Sequence, residues 1–340
     1  MPELDHLLDR PEQPRRRWRW WHITLLAILV ALVLGGGGAA GVLYYFSQDL
    51  PSLEPLQNYQ PSLVTRVYSD DRQIIGQFFI ERRFLKPLPE IPKSLTQAVI
   101  ATEDARFFEH PGLDIVGILR AAVTNLRHGG RKVEGASTIT QQLARSLFLS
   151  AERTFDRKVR ELILAYKMEL VLTKEQILEM YLNQIYFGQG AYGVAAAAQT
   201  YFGKDLANLT LAECAFLAGL PKSPRHYSPF KAYDRAKKRQ EHVLSRMEDA
   251  GFISPAEREQ AAAEKLNFRR PGSEHLGPYF VEYIRQLLVA KFGETMVYKG
   301  GLEVFTTLNV EMQKAAEAAV LNGLRELDKR QGWRGPVRTV

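Results

Sequence analysis

A mostly α chain on a single N-terminal transmembrane helix, with a small α+β region toward its C-terminal end, is the fold class this sequence predicts. Three observations predict it. Residues 23–46 carry no charge. Helix-start signals recur between residues 94 and 265: Ser94 with Gln97, Thr173 with Gln176, Thr210 with Glu213, and Ser254-Pro255-Ala256-Glu257. Each pairs a hydroxyl cap with an amide or carboxylate three residues on, which satisfies the orphan N–H groups of a first turn. Strand-like alternation is confined to two short stretches, 63–80 and 301–308.

Taken in order, residues 1–22 form a polar tail ending in Arg15-Arg16-Arg17-Trp18-Arg19-Trp20-Trp21. The span 23–46 follows; about 24 residues at about 1.5 Å rise reach about 36 Å, enough to cross a bilayer. Tryptophans stand at one end and Tyr44-Tyr45 at the other, as interfacial belts do. The arginines precede the span, so the positive-inside rule puts the tail in the cytoplasm and the rest outside. Tyr44-Tyr45-Phe46 is a poor small-residue cleavage site, which favours a retained anchor over a signal peptide. Residues 47–93, with six prolines between 51 and 92, read as linker plus a hairpin turning at Asp70-Asp71. Residues 94–265 read as the helical domain, and 266–340 as a connector holding helices at 278–292 and 310–327 and a strand at 301–308.

Net charge is +7 and the isoelectric point about 9.3. That balance suits an anionic membrane or a phosphorylated substrate; no nucleic-acid motif accompanies it, so no nucleic-acid partner is expected. The single cysteine, Cys214, lies in the apolar run 212–220, which excludes an intramolecular disulfide and predicts a buried core thiol. No protein metal site is expected.

Chemistry concentrates between Glu103 and Asn183. Val99, Ile100, Glu103 and Phe107 are spaced to share one helical stripe, so the Glu103 carboxylate should lose solvation beside apolar neighbours and serve as a general base. Glu161 follows Arg157 and Lys158 by four and three residues, on the same helical face. Two carboxylates in contrasting surroundings suggest two roles. Taken alone, Glu103 reads as a surface helix acid and Glu161 as an i,i+4 ion pair on a solvated face. The run 113–126 mixes Leu113, Val116, Ile118, Leu119 and Val123 with Arg120, and reads either as core packing or as a segment dipping into lipid.

These residues fall into ordered motifs. Glu103, Asp104, Phe107, His110 and Gly112 match ED-x-x-F-x-x-H-x-G. Gly135, Ser137, Thr138, Ile139, Gln141 and Gln142 match G-x-S-T-I-x-Q-Q. Arg157, Lys158 and Glu161 match R-K-x-x-E, and Lys174 to Asn183 matches K-x-x-I-L-x-x-Y-L-N. The set resembles the peptidoglycan glycosyltransferases, the polymerase module of class A penicillin-binding proteins. The last family pattern, R-R-x-x-V-L, is partly present, with Gln240 where the second arginine is usual beside Arg239.

The resemblance implies a lysozyme-like glycosyltransferase domain that polymerises lipid II into glycan strands at the outer membrane face and releases undecaprenyl pyrophosphate. Lipid II, the growing strand, the bilayer and other cell-wall synthesis proteins are the implied partners. It implies that Glu103 deprotonates the acceptor 4-hydroxyl and that Glu161 is a second essential acid near the leaving group. Arg145, Arg153, Arg157 and Lys158 would hold the donor pyrophosphate, with a magnesium or manganese ion as an optional cofactor there. Ser137, Gln141 and Gln142 would bond sugar or phosphate oxygens, and Asp104, Phe107, His110 and Asn183 would support the site. A transpeptidase domain would follow in a class A protein. Its K-T-G motif is absent here, and Ser228-Pro229-Phe230-Lys231 fits S-x-x-K by letters only, in a proline-rich loop. A glycan-cleaving enzyme on a similar fold and a non-catalytic membrane scaffold are the rival readings. The first has no use for the cationic cluster, and the second no use for both carboxylates.

Overall fold

A computed structural model describes residues 17–48, 50–51, 53, 56, 61–127, 129, 135, 137–149, 154–269 and 276–332. Helix α1 (Arg17–Ser47) extends the predicted apolar span at both ends, and within it Trp21–Gly38 is long and apolar enough to cross a membrane. The end of α1 meets a later helix, where the Arg160 guanidinium lies 6.0 Å from the Phe46 ring centre.

The predicted hairpin is present as β1 (Thr65–Tyr68) and β2 (Ile74–Phe78), antiparallel, with Thr65 opposite Phe78. Arg72, at φ +64, makes the turn, and Ser69 closes it by bonding both Asp71 and the Gln73 backbone. Strand β3 (Arg82–Arg83) begins a second small sheet, completed by β4 (Tyr186–Gly188) and β5 (Ala191–Tyr192) in the order β3-β5-β4. The third strand of the first sheet, β6 (Glu303–Phe305), comes from far down the chain and runs parallel to β1.

The main core is helical. It is built from α2 (Lys93–Glu103), α4 (Ile139–Phe148), α5 (Phe155–Val171), α6 (Lys174–Gln184), α7 (Val194–Phe202), α8 (Leu211–Gly219) and α9 (Tyr233–Asp249), with α10 (Pro255–Ala263) against α9. Leu95, Leu143, Leu164, Met168, Ile177 and Phe216 fill its centre. Alanines at 195–198 and at 212, 215 and 218 let α7 and α8 approach their neighbours closely. Cys214 is buried there, and burial pushes its thiol up to about 11. Three predicted capping boxes form as expected at Thr173, Thr210 and Ser254. The Ser94–Gln97 box does not. Pro92 occupies the N-cap of α2, so Ser94 falls inside the first turn and turns its hydroxyl to the Cys214 sulfur.

Helix α3 (Ile115–Arg127) buries only Gly117 and Ala121. Ile115, Val116, Leu119, Val123 and Leu126 are exposed, so this amphipathic segment is not core packing. A second, smaller core joins the hairpin to α11 (Pro278–Lys299, kinked at Gly293) and α12 (Val310–Arg330) through Val67, Ile75, Phe78, Val297, Leu308 and Val310. Ser228 and Lys231 lie in a turn before α9, with Ser228 buried, rather than on a helix.

Candidate active site

Helix α2 stops at Glu103. Asp104 leaves the helix at φ −161 because its carboxylate is committed elsewhere: it accepts from the Ile139 N–H at the start of α4 and from His110 Nε2 at 2.9 Å. A carboxylate on a helix N-terminus satisfies donors that have no partner within the helix. Phe107 therefore does not continue a helical stripe with Glu103, as the spacing predicted; it lies in the turn beyond and is buried, with the Lys174 ammonium 4.4 Å from its ring centre. Lys174 also donates to the His110 carbonyl at 2.6 Å and to Glu169 at 2.7 Å. Asp104, Phe107 and His110 thus fasten the loop after Glu103.

The surroundings of Glu103 are polar, not the apolar ones the sequence predicted. Its side chain is 12% exposed. Gln142 Nε2 donates to it at 2.9 Å, and the Arg239 guanidinium stands 3.9 Å away. Tyr181 donates its hydroxyl to Gln142 Oε1 at 3.2 Å, which fixes the amide with its NH₂ toward Glu103. Arg239 is held by its Nε–H to the Gly219 carbonyl at 3.1 Å, and a Cβ at Gly219 would come within 2.9 Å of the Arg239 side chain. Burial pulls the Arg239 guanidinium down, and Glu103 opposes that.

Glu161 is fully buried in α5. Lys158 Nζ donates to one carboxylate oxygen at 2.5 Å, and Arg157 Nη1 to the other at 3.1 Å. Lys158 donates as well to Ser137 Oγ and Gln141 Oε1, both at 3.0 Å. Gln141 and Gln142, neighbours on the first turn of α4, therefore divide between the two carboxylates. Both amides are buried and engaged with protein groups. The turn is set by Thr138, which caps α4 by accepting from Gln141 N–H and donates to the Gly112 carbonyl at 2.7 Å.

A cavity of about 410 Å³ opens over Glu103, lined also by Ser137, Gln142 and Arg239 among others; Arg157, Lys158 and Glu161 do not line it. Arg145 lies one turn along α4, near enough for its charge to act on the Tyr181 hydroxyl. Arg153 lies outside the described residues. Asn183 sits away from the cavity and clamps residue 86: its Oδ1 accepts from Lys86 N–H, and its Nδ2 donates to the Lys86 carbonyl, both at 2.8 Å. Among the described residues no three His, Cys, Asp or Glu side chains gather as a metal site.

Arg239 is the residue that the sequence reading left out of the site. Its signal was present in the partial R-R-x-x-V-L pattern, where Gln240, in place of the second arginine, instead donates to the Ala212 carbonyl.

A family model described as Transglycosylase matches residues 71–248. Penicillin-binding protein 1A of Rickettsia typhi is 41% identical over 326 residues, covering 94% of this chain and 41% of the relative. Penicillin-binding protein 1A of Escherichia coli is 43% identical over 318 residues, covering 93% of this chain and 37% of the relative. A crystal structure of penicillin-binding protein 1A from Haemophilus influenzae aligns at 33% identity with a TM-score of 0.48, over 82% of this chain and 32% of that one. The chain thus spans less than half the length of these relatives. The family match itself runs through more than half of the chain, from the hairpin turn to the last turn of the helix that carries Arg239, and on that ground the chain belongs to the Transglycosylase family.

Proposed function

We propose that the protein is a peptidoglycan glycosyltransferase that polymerises lipid II at the outer face of the cytoplasmic membrane. The observation that carries this reading is the pair of carboxylates in different settings. Glu103 faces a cavity, braced by Gln142 and Arg239. Glu161 is sunk between two cations. The family description, Transglycosylase, supports the same reaction class.

Glu103 takes the proton from the acceptor's sugar hydroxyl as its oxygen bonds to the donor's anomeric carbon. The bond from that carbon to the pyrophosphate oxygen breaks, and undecaprenyl pyrophosphate leaves with the electron pair. Arg145, Arg153, Arg157 and Lys158 balance the charge on the leaving group, and Glu161 holds Arg157 and Lys158 in place for that task. Ser137, bonded to Lys158, lines the cavity. Helix α1 anchors the chain, with the arginine-rich tail in the cytoplasm. The exposed apolar face of α3 rests in the bilayer, where the lipid tail of the substrate stays.

The test is the purified full chain with labelled lipid II, beside Glu103→Gln. The wild type yields polymer, and the amide, unable to accept a proton, loses about 10²–10⁴-fold in rate. Soluble sugar fragments instead of polymer, or near-normal yield from the variant, would overturn the assignment.

A further inference from the structure

The cavity has a cationic wall whose outer part the reaction above does not use. Arg239, His242 and Arg246 are spaced i, i+3 and i+7 on α9, so they share one face of that helix, and all three line the cavity with Glu103. Lys222, in the turn after α8, lines it from a different element.

Arg239 is engaged with Glu103 and the Gly219 carbonyl. The other three are differently placed. Lys222 makes no ion pair among the described residues. Arg246 has Asp249 at 3.8 Å, a loose and exposed pair that does little to neutralise it. His242 stands among the cations. Burial, then Arg239, Lys222 and Arg246, push its imidazolium down from the usual range, against the single opposing pull of Asp249. Positive charge thus converges on one stretch of wall around His242.

The chemistry calls for such a wall. On the glycosyltransferase reading, on which this inference rests, two lipid-linked sugars react together. Each carries its own phosphates and peptide carboxylates. Lys158 and Arg157 serve the donor. The acceptor presents its hydroxyl to Glu103, and its own anionic groups extend past that point.

We infer that Lys222, His242 and Arg246 form a second anion subsite, which takes a phosphate or carboxylate group of the acceptor and so sets the position of its hydroxyl at Glu103. The three are positioning residues for the acceptor.

The test is an elongation assay with the full chain, a short lipid-linked glycan as fixed donor and lipid II as varied acceptor. Two acceptors are compared: native lipid II and lipid II with its peptide carboxylates amidated. In Lys222→Ala/Arg246→Ala the acceptor KM rises about tenfold on native lipid II while the donor KM stays within about twofold. If the bound group is a carboxylate, the amidated acceptor already has the raised KM in the wild type, and the variant adds nothing. If it is a phosphate, the variant raises KM on both acceptors. Lys222→Arg/Arg246→Lys restores most of the loss, and Lys238→Ala, an exposed charge removed from the same helix, leaves both KM values unchanged.

An acceptor KM within about twofold of wild type on both substrates overturns the inference, as does an equal rise for donor and acceptor. Failure of the conservative pair to restore KM overturns it as well, by assigning the loss to packing. A wild-type chain that makes no polymer overturns the reading of function instead, which separates the two.

Discussion

Glu161 offers a quantitative test of how the site is held. Lys158→Met keeps the length of the side chain and removes the ammonium. Glu161, with 0% of its side chain exposed, then keeps only Arg157 at 3.1 Å, and Gln141 Oε1 and Ser137 Oγ lose their donor. Breaking a buried pair on one side costs about 3–5 kcal/mol. The Lys158 side chain is 40% exposed, so solvent screens much of its attraction. With Arg157 still in place, the expected loss falls to about 1.5–2.5 kcal/mol. For a chain of 340 residues that lowers Tm by about 2–4 °C.

The decisive measurement adds Glu161→Gln. Without the buried charge there is little left to compensate, so Lys158→Met/Glu161→Gln should be more stable than Lys158→Met alone by at least about 1 kcal/mol. Thermal denaturation of the four proteins closes the cycle. Additive losses, or a Tm for Lys158→Met within about 1 °C of wild type, would refute the claim that Lys158 compensates a buried carboxylate.

Two further predictions follow from groups outside the cavity. Burial raises the Cys214 thiol from 9.0 to about 11, so the folded state retains that proton when the unfolded chain has released it. Its contribution is complete below about pH 9 and declines through about pH 11, an effect on the order of 2–3 kcal/mol; the fall in stability over that window should be shallower in Cys214→Ala by chemical denaturation. Asn183→Ala removes three hydrogen bonds, to Lys86 N, Lys86 O and Glu179 O. It should cost about 2–3 kcal/mol and speed exchange of the Lys86 amide, whereas unchanged protection there would show that the segment after β3 is held by other contacts.

Local chemistry was legible in the sequence, and distant chemistry was not. The boxes at Thr173, Thr210 and Ser254 each need only four consecutive residues, and they form. Ser94 failed the same rule because Pro92, two residues earlier, had already set the helix start. The i−3 and i−4 cations of Glu161 could be read from spacing, but its complete burial depends on α4 packing across α5. The neighbours of Glu103 were misread because the helix ends there: Asp104 is drawn to the start of α4, 35 residues away in sequence, and the apolar stripe breaks. Arg239 reaches Glu103 only once α9 packs on α2 and α8, a contact no spacing rule contains.

The pairing of β1 with β6 bears on how this chain comes to fold. Val67 lies opposite Val304, so almost the whole helical core is threaded between two strands that must meet. Neighbouring helices such as α4, α5 and α6 can pack as they emerge, because their contacts are near in sequence. The first sheet cannot be completed until residue 305 has been made, and loop closure over that separation is slow. During synthesis the hairpin therefore waits with Val67, Ile75 and Phe78 unburied and one edge of β1 unpaired, a state open to pairing with another chain. The span in which this chain is most exposed to misassembly is set by the distance from Tyr68 to Glu303, not by the membrane anchor or the catalytic helices.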